Sequence, residues 1–178
     1  MIEACDAARR RDPKLVFAMM FQERTLPFHA KLKDVVSGGE LGRLLRVTWI
    51  NTAWFRSQAY YDSGGWRATW AGEGGGILTN QCPHNLDLYQ WLFGVPVRVS
   101  GFAHLGKYHD IEVEDEVTAY FEHDNGMVGH FIATTAESPG TNRLEIVGEN
   151  GSLVYEKERL VFHRNRVSML EFSKTTSE

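Results

Sequence analysis

From Gly74 to Gly94 the chain reads Gly-Gly-Gly-Ile-Leu-Thr-Asn-Gln-Cys-Pro-His-Asn-Leu-Asp-Leu-Tyr-Gln-Trp-Leu-Phe-Gly. At roughly 100° per residue, Asn80, His84, Asp87 and Trp91 share one helical stripe, and Leu78, Cys82, Leu86, Tyr89, Leu92 and Phe93 share the opposite one. An imidazole titrates near neutrality, so His84 can exchange a proton with a hydroxyl group as the carbon bearing it is oxidised or reduced. Asn80, one turn earlier, can orient a substrate hydroxyl or the imidazole ring. Gly74, Gly75 and Gly76 carry no side chains, so a ligand or a neighbouring backbone can come close to the helix entrance. A blander arrangement also fits: His84 on the helix surface, bonded to Asp87, with Asn80 as a simple cap.

A second group precedes this one. Residues 55–76 hold Tyr60, Tyr61, Trp66 and Trp70 together with Arg56, Arg67 and six glycines. A loop so long and so aromatic is expected to serve a function rather than merely connect elements. Aromatic faces stack on sugar rings and guanidinium groups pair with phosphate or hydroxyl oxygens, so Tyr60, Tyr61, Trp66 and Arg67 are candidate substrate-binding residues. Plain loop packing is the alternative. Tyr108 and His109 lie between two strand-like segments and are weaker candidates for the same pocket.

Other chemistries find little support. Gly101 to Tyr108 approaches a phosphate-binding loop, but Tyr108 stands where the magnesium-binding hydroxyl belongs, and no helix is expected after it. No Gly-x-Gly-x-x-Gly occurs, and His104, His109 and Asp110 lack a metal-binding pattern, so no metal is expected. A net charge of −4 over 178 residues provides no broad attraction for nucleic acid or anionic membranes. Cys5 and Cys82 are the only cysteines, which fits a reducing, cytoplasmic setting, and no stretch is apolar enough for a membrane span.

These residues must be held by a core, and 43% hydrophobic content suits one soluble domain. The pattern predicts a helix over residues 1–11, stopped at Asp12-Pro13, and a strand over 15–21 apolar enough to be covered on both faces. A helix over 26–36, a strand over 44–54 and a helix over 77–93 follow, the last irregular around Pro83. Beyond Gly94, strands are expected near 97–105, 117–122, 127–135, 143–147, 152–155 and 160–163. Asn125-Gly126 and Asn150-Gly151 are expected to form type I′ hairpin turns. The fold class is therefore α/β, of the α+β type: an open, mostly antiparallel sheet backed by helices. Its other face is exposed unless a partner covers it, and a homo-oligomer through that open sheet is expected.

The segment from Gly74 to Gly94 resembles the Gfo/Idh/MocA family of oxidoreductases. The family's glycine run, Leu-x-Asp-x-x-x-His-x-x-Asp and Trp-Leu-x-Gly match here with Asn80 in place of the first aspartate. The likeness extends to Phe21-Gln22-Glu23-Arg24, residues 37–42, residues 60–67 and residues 107–115. It implies a chain corresponding to the family's C-terminal, substrate-binding domain. Residues 1–22 would be the remnant of an NAD(P)-binding Rossmann domain, 23–172 the substrate-binding and oligomerisation domain, and 173–178 a frayed tail. It also implies that His84 and Asn80 are catalytic-site residues and that Arg67 can reach the cofactor. The family's Glu-Lys-Pro lysine and glycine fingerprint would lie before Met1, so the chain alone is expected to bind no NAD or NADP and to be inactive. Asn80 can neither take a proton nor bring a charge to His84, so both residues are expected mainly to bind substrate hydroxyls. The implied reaction of the intact protein moves hydride between a nicotinamide and a hydroxyl carbon of a sugar or cyclic polyol. The alternative is a non-catalytic sugar-binding or oligomerisation module of the same architecture.

Overall fold

A computed structural model describes residues 1–177. Its centre is a seven-stranded sheet built from β1 (Leu44–Asn51), β2 (Arg98–Leu105), β3 (Glu114–Glu122), β4 (Val128–Thr134), β5 (Asn142–Gly148), β6 (Gly151–Glu156) and β7 (Arg159–Arg164). The strand order is β2-β3-β4-β1-β5-β6-β7, and every pair is antiparallel except β1 with β4. The expected open, mostly antiparallel sheet is thus what the chain forms. Alternation along the strands sends Val47, Trp49, Phe131, Leu144, Ile146 and Leu153 to one face. There they pack against Leu32 and Val35 of helix α2 (Pro27–Ser37) and Leu88, Tyr89 and Leu92 of α5 (Pro83–Phe93). The opposite face keeps Arg46, Thr48, Ile50, His130, Ile132 and Val154 only partly covered.

Helix α1 (Ile2–Arg11) forms as its spacing predicts, yet none of its residues is buried. The strand expected over 15–21 does not form. The segment has no regular secondary structure, its residues 15–20 are exposed, with Val16 at 82% exposure, and no neighbouring strand pairs with it among the described residues. An apolar run signals that burial would be favourable, but a strand also requires ladder partners for its backbone groups, and the described residues supply none to this segment.

The helix expected over 77–93 is divided into α4 (Ile77–Asn80) and α5. At the division Cys82 N–H bonds Ile77 O at 2.8 Å, and Pro83, which has no N–H, opens α5 at its first position. Beyond β1, a short helix α3 (Gln58–Asp62) orders the aromatic loop. Near the C-terminus Ser173 to Thr175 complete α6 (Met169–Thr175), while Glu178 lies outside the described residues.

Both anticipated hairpins form, but neither is type I′. Gly126 takes a positive φ and Asn125 does not, and the Glu149-Asn150 loop contains no positive φ. The turn with two positive φ values is Lys157-Glu158, at +50° and +57°, between β6 and β7. No glycine or asparagine marks that position in the sequence.

Candidate functional site

The glycine run admits a neighbouring backbone. A Cβ on Gly76 would lie 2.0 Å from Glu114 O, so α4 can rest directly on the start of β3. The buried Glu114 carboxylate then accepts from Gly76 N–H at 3.0 Å and Leu78 N–H at 3.1 Å, capping α4 from across the fold. Asn80 is therefore not the cap. Its exposed side chain donates to Glu73 Oε1, and Glu73 Oε2 accepts from Ala68 N–H at 2.7 Å, which ties the loop together.

The stripe drawn through Asn80, His84, Asp87 and Trp91 is interrupted where α4 gives way to α5. Asp87 does not bond His84; it accepts from Arg24 Nε at 2.7 Å in a two-point ion pair with a side chain only 7% exposed. Arg24 also stacks on Phe21 and Trp91, each at 5.8 Å. Phe21 meets the His84 ring edge-on at 5.9 Å. The segment preceding α2 thus clamps α5 and sets the histidine's position.

His84 opens onto a cleft of about 250 Å³, shared with Glu23, Trp54, Asn85, Asn142 and Glu158. Its Nδ1 is shielded from solvent and has no hydrogen-bond partner among the described residues. A shielded, unpaired ring nitrogen costs about 1–3 kcal/mol. The wall mixes aromatic faces with amide and carboxylate groups, a combination suited to a polyhydroxylated molecule. Cys82, behind the helix break, offers no nucleophile, because burial pushes its thiol up to about 12.

The remaining candidates separate into a structural and a surface group. Tyr61 is buried, its hydroxyl 2.8 Å from Thr135 Oγ1 and its ring 4.9 Å from His109. His109 Nδ1 bonds Asp115 Oδ2 at 2.9 Å and its Nε2 bonds Arg56 O at 2.9 Å. Asp115, fully buried, also accepts from the backbone N–H groups of Lys107, Tyr108 and His109. Tyr61 and His109 therefore hold two loops together, and both ring nitrogens of His109 are already engaged. At the surface, Arg67 lies 4.6 Å from both the Tyr60 and Trp66 ring centres and donates to Tyr60 Oη at 2.9 Å. Tyr108 is exposed, with Lys107 Nζ at 5.0 Å from its ring.

The cleft residues Trp54, Asn142 and Glu158 do not stand out in the sequence, since the fold gathers them, with Glu23, from four distant segments. Phe21-Gln22-Glu23-Arg24 carried a signal through its family resemblance; the others carried none.

Residues 29–154 match the GFO/IDH/MocA C-terminal domain. Among solved structures, the chain is similar to the WlbA dehydrogenase of Chromobacterium violaceum in complex with NADH and UDP-GlcNAcA. The identity is 29% and the TM-score 0.79, over 95% of this chain and 50% of that one. It is also similar to the WlbA dehydrogenase of Bordetella pertussis with the same two ligands, at 28% identity and TM-score 0.74, over 83% and 46%. A levoglucosan dehydrogenase in complex with NADH and levoglucosan aligns at 25% identity and TM-score 0.69, over 92% and 48%. No match was found among curated proteins. The chain spans about half the length of each of these solved relatives. With the domain match covering most of the sheet and its helices, the chain belongs to the Gfo/Idh/MocA family.

Proposed function

We propose that this chain is the substrate-binding half of an NAD(P)-dependent oxidoreductase that moves hydride between a nicotinamide and a hydroxyl carbon of a sugar or cyclic polyol. The observation that carries the reading is the unpaired, shielded Nδ1 of His84 at a cleft lined by Trp54, Asn142, Glu23 and Glu158. Likeness to dehydrogenases solved with NADH and with UDP-GlcNAcA or levoglucosan supports it.

In this reading Trp54 stacks on the sugar ring, while the Asn142, Glu23 and Glu158 side chains hold hydroxyl groups. His84 binds the reacting hydroxyl, held in place by Phe21 and the Arg24–Asp87 clamp. Asn80, engaged with Glu73 and exposed, steadies the loop beside the cleft rather than handling the proton. Residues 23–172 form the substrate-binding and oligomerisation unit, and residues 1–22 belong with a dinucleotide-binding domain. The described residues do not fit a dinucleotide themselves: no glycine fingerprint occurs, and the single parallel strand pair, β1 with β4, does not frame one. No hydride step is therefore assigned to residues of this chain. The nicotinamide, NAD or NADP, supplies that chemistry when bound.

Calorimetry of the chain against a panel of hexoses and cyclic polyols tests the reading. At least one should bind, and His84→Ala should weaken it about tenfold, roughly 1.4 kcal/mol. The chain alone should reduce no NAD(P)⁺. Binding indifferent to His84, or turnover by the isolated chain, would overturn the assignment.

A further inference from the structure

The cleft that holds His84 contains a second histidine. His29, in the first turn of α2, is only 5% exposed and lines the cleft together with Glu23, Tyr155 and Glu158. Its Nδ1 lies 2.8 Å from Glu23 O. A carbonyl oxygen only accepts, so Nδ1 carries the hydrogen and donates it, which leaves Nε2 of the neutral ring as an acceptor. The rings of Phe28, at 4.7 Å, and Tyr155, at 5.5 Å, hold the imidazole edge-on. Nε2 has no partner among the described residues, yet it is not sealed from solvent, so it opens into the cleft. One nitrogen is fixed and the other is left as a preset acceptor.

Two carboxylates join it. Glu23 Oε2 lies 3.4 Å from His29 Nδ1, and Glu158 reaches the cleft from the β6–β7 turn. Burial, and then the charges of Glu158 and Glu23, push the Tyr155 hydroxyl above its ordinary value, so both carboxylates lie around one phenol. No lysine or arginine lines the cleft, and among the described residues Glu158 has no ion-pair partner and Glu23 has only His29. Glu23, Glu158 and His29 Nε2 all accept, and only the Tyr155 hydroxyl beside them can donate. A sugar hydroxyl brings one hydrogen and two lone pairs to such a wall. An ammonium group brings three hydrogens, no lone pair and a positive charge, and it matches the wall better. The amides of Asn85 and Asn142, which both donate and accept, leave the remainder of the cleft suited to hydroxyls.

Resting on the sugar-oxidoreductase reading, we propose that the substrate is an amino sugar or aminocyclitol, its ammonium group held by Glu23, Glu158 and His29 Nε2 while its reacting hydroxyl meets His84. These three residues set specificity and take no part in the hydride step.

Calorimetry of the chain near pH 7 tests the assignment, with glucose, its 2-amino, 3-amino and 6-amino deoxy forms, and their N-acetyl derivatives as ligands. At least one amino sugar should bind about tenfold or more tighter than glucose. Its N-acetyl derivative, which has lost the charge, should bind no tighter than glucose. Glu23→Gln and Glu158→Gln should each reduce the preference and together abolish it. His29→Phe, which keeps an aromatic ring without the acceptor, should also lower it. The wild-type chain gives a readout that needs no variant to fold: the preference should fade above about pH 8 as the amine loses its proton. Equal binding of glucose and every amino sugar, or a preference that survives acetylation or the loss of that proton, overturns the proposal. His84→Ala separates the two readings. Loss of glucose binding in that variant, with no preference for amines in the wild type, keeps the sugar site and removes the amine. An amine preference that needs Glu23 and Glu158 but not His84 keeps the ammonium pocket and removes the reaction centre from His84. Failure of every sugar to bind overturns both.

Discussion

At the scale of single residues, the site is governed by which polar groups already have partners. Asp87, Glu114 and Asp115 are buried and accept several hydrogen bonds each, the first two from distant segments and Asp115 from the loop just before it. His84 keeps a free nitrogen. Burial with satisfaction builds the frame, and burial without it marks a place for a ligand. Removing Arg24 leaves the Asp87 carboxylate unpaired while nearly enclosed, so Arg24→Ala should destabilise the fold by about 2 kcal/mol, a value discounted because Arg24 is itself partly exposed. Urea denaturation would detect this, and an unchanged midpoint would show the pair to be energetically idle. The sequence contained His84 and Asn80 as candidates because their types and spacing are local signals. It could not distinguish Tyr60 from Tyr61, because adjacent tyrosines look alike until the fold buries one against Thr135 and leaves the other beside two arginines.

At the scale of elements, strands with one covered face were legible from alternation, and all six strands expected after Gly94 are present within a few residues of their expected ends. Two of the departures have clear physical causes. The apolar run over 15–21 expressed a preference for burial without the partners needed to realise it. The β6–β7 turn holds Lys157 and Glu158 in left-handed backbone, a conformation costing non-glycine residues about 1–2 kcal/mol each, so nothing in their types announced it. Packing of Tyr155 and Leu153 against the core outweighs that cost. Lys157→Asn, which tolerates positive φ, should therefore stabilise the chain by about 0.5 kcal/mol. A lower melting midpoint for this variant would contradict the turn geometry.

At the scale of the whole molecule, the covered face of the sheet makes the core and the open face remains to be used. Arg46, Glu145, Arg143 and Glu156 form a charged ladder across β1, β5 and β6, beside Ile132 and Val154. Edge strand β2 is exposed along its length, with Phe102 at 75%. Such a surface favours self-association, so light scattering at micromolar concentration should find a dimer or higher oligomer, and Ile132→Lys should shift it to monomer. A wild-type monomer would exclude this use of the sheet. Hydrogen bonds from Arg46 and then Arg143 hold the Glu145 carboxyl below its ordinary value near 4.5. A carboxylate with a lowered folded-state value contributes stability above its unfolded value and loses it as pH falls through the folded one. Stability should accordingly fall below about pH 4.5 more steeply in the wild type than in Glu145→Gln; parallel pH profiles would remove the ladder from the account.

The central claim is that a sugar or polyol meets His84, and the imidazole nitrogens themselves report it most directly. Nitrogen-detected titration of the chain with the ligand selected by calorimetry should shift the His84 ring signals saturably, with His109, already bonded at both nitrogens, remaining still. A ligand that saturates the protein while leaving His84 unmoved would place the site elsewhere and contradict the account.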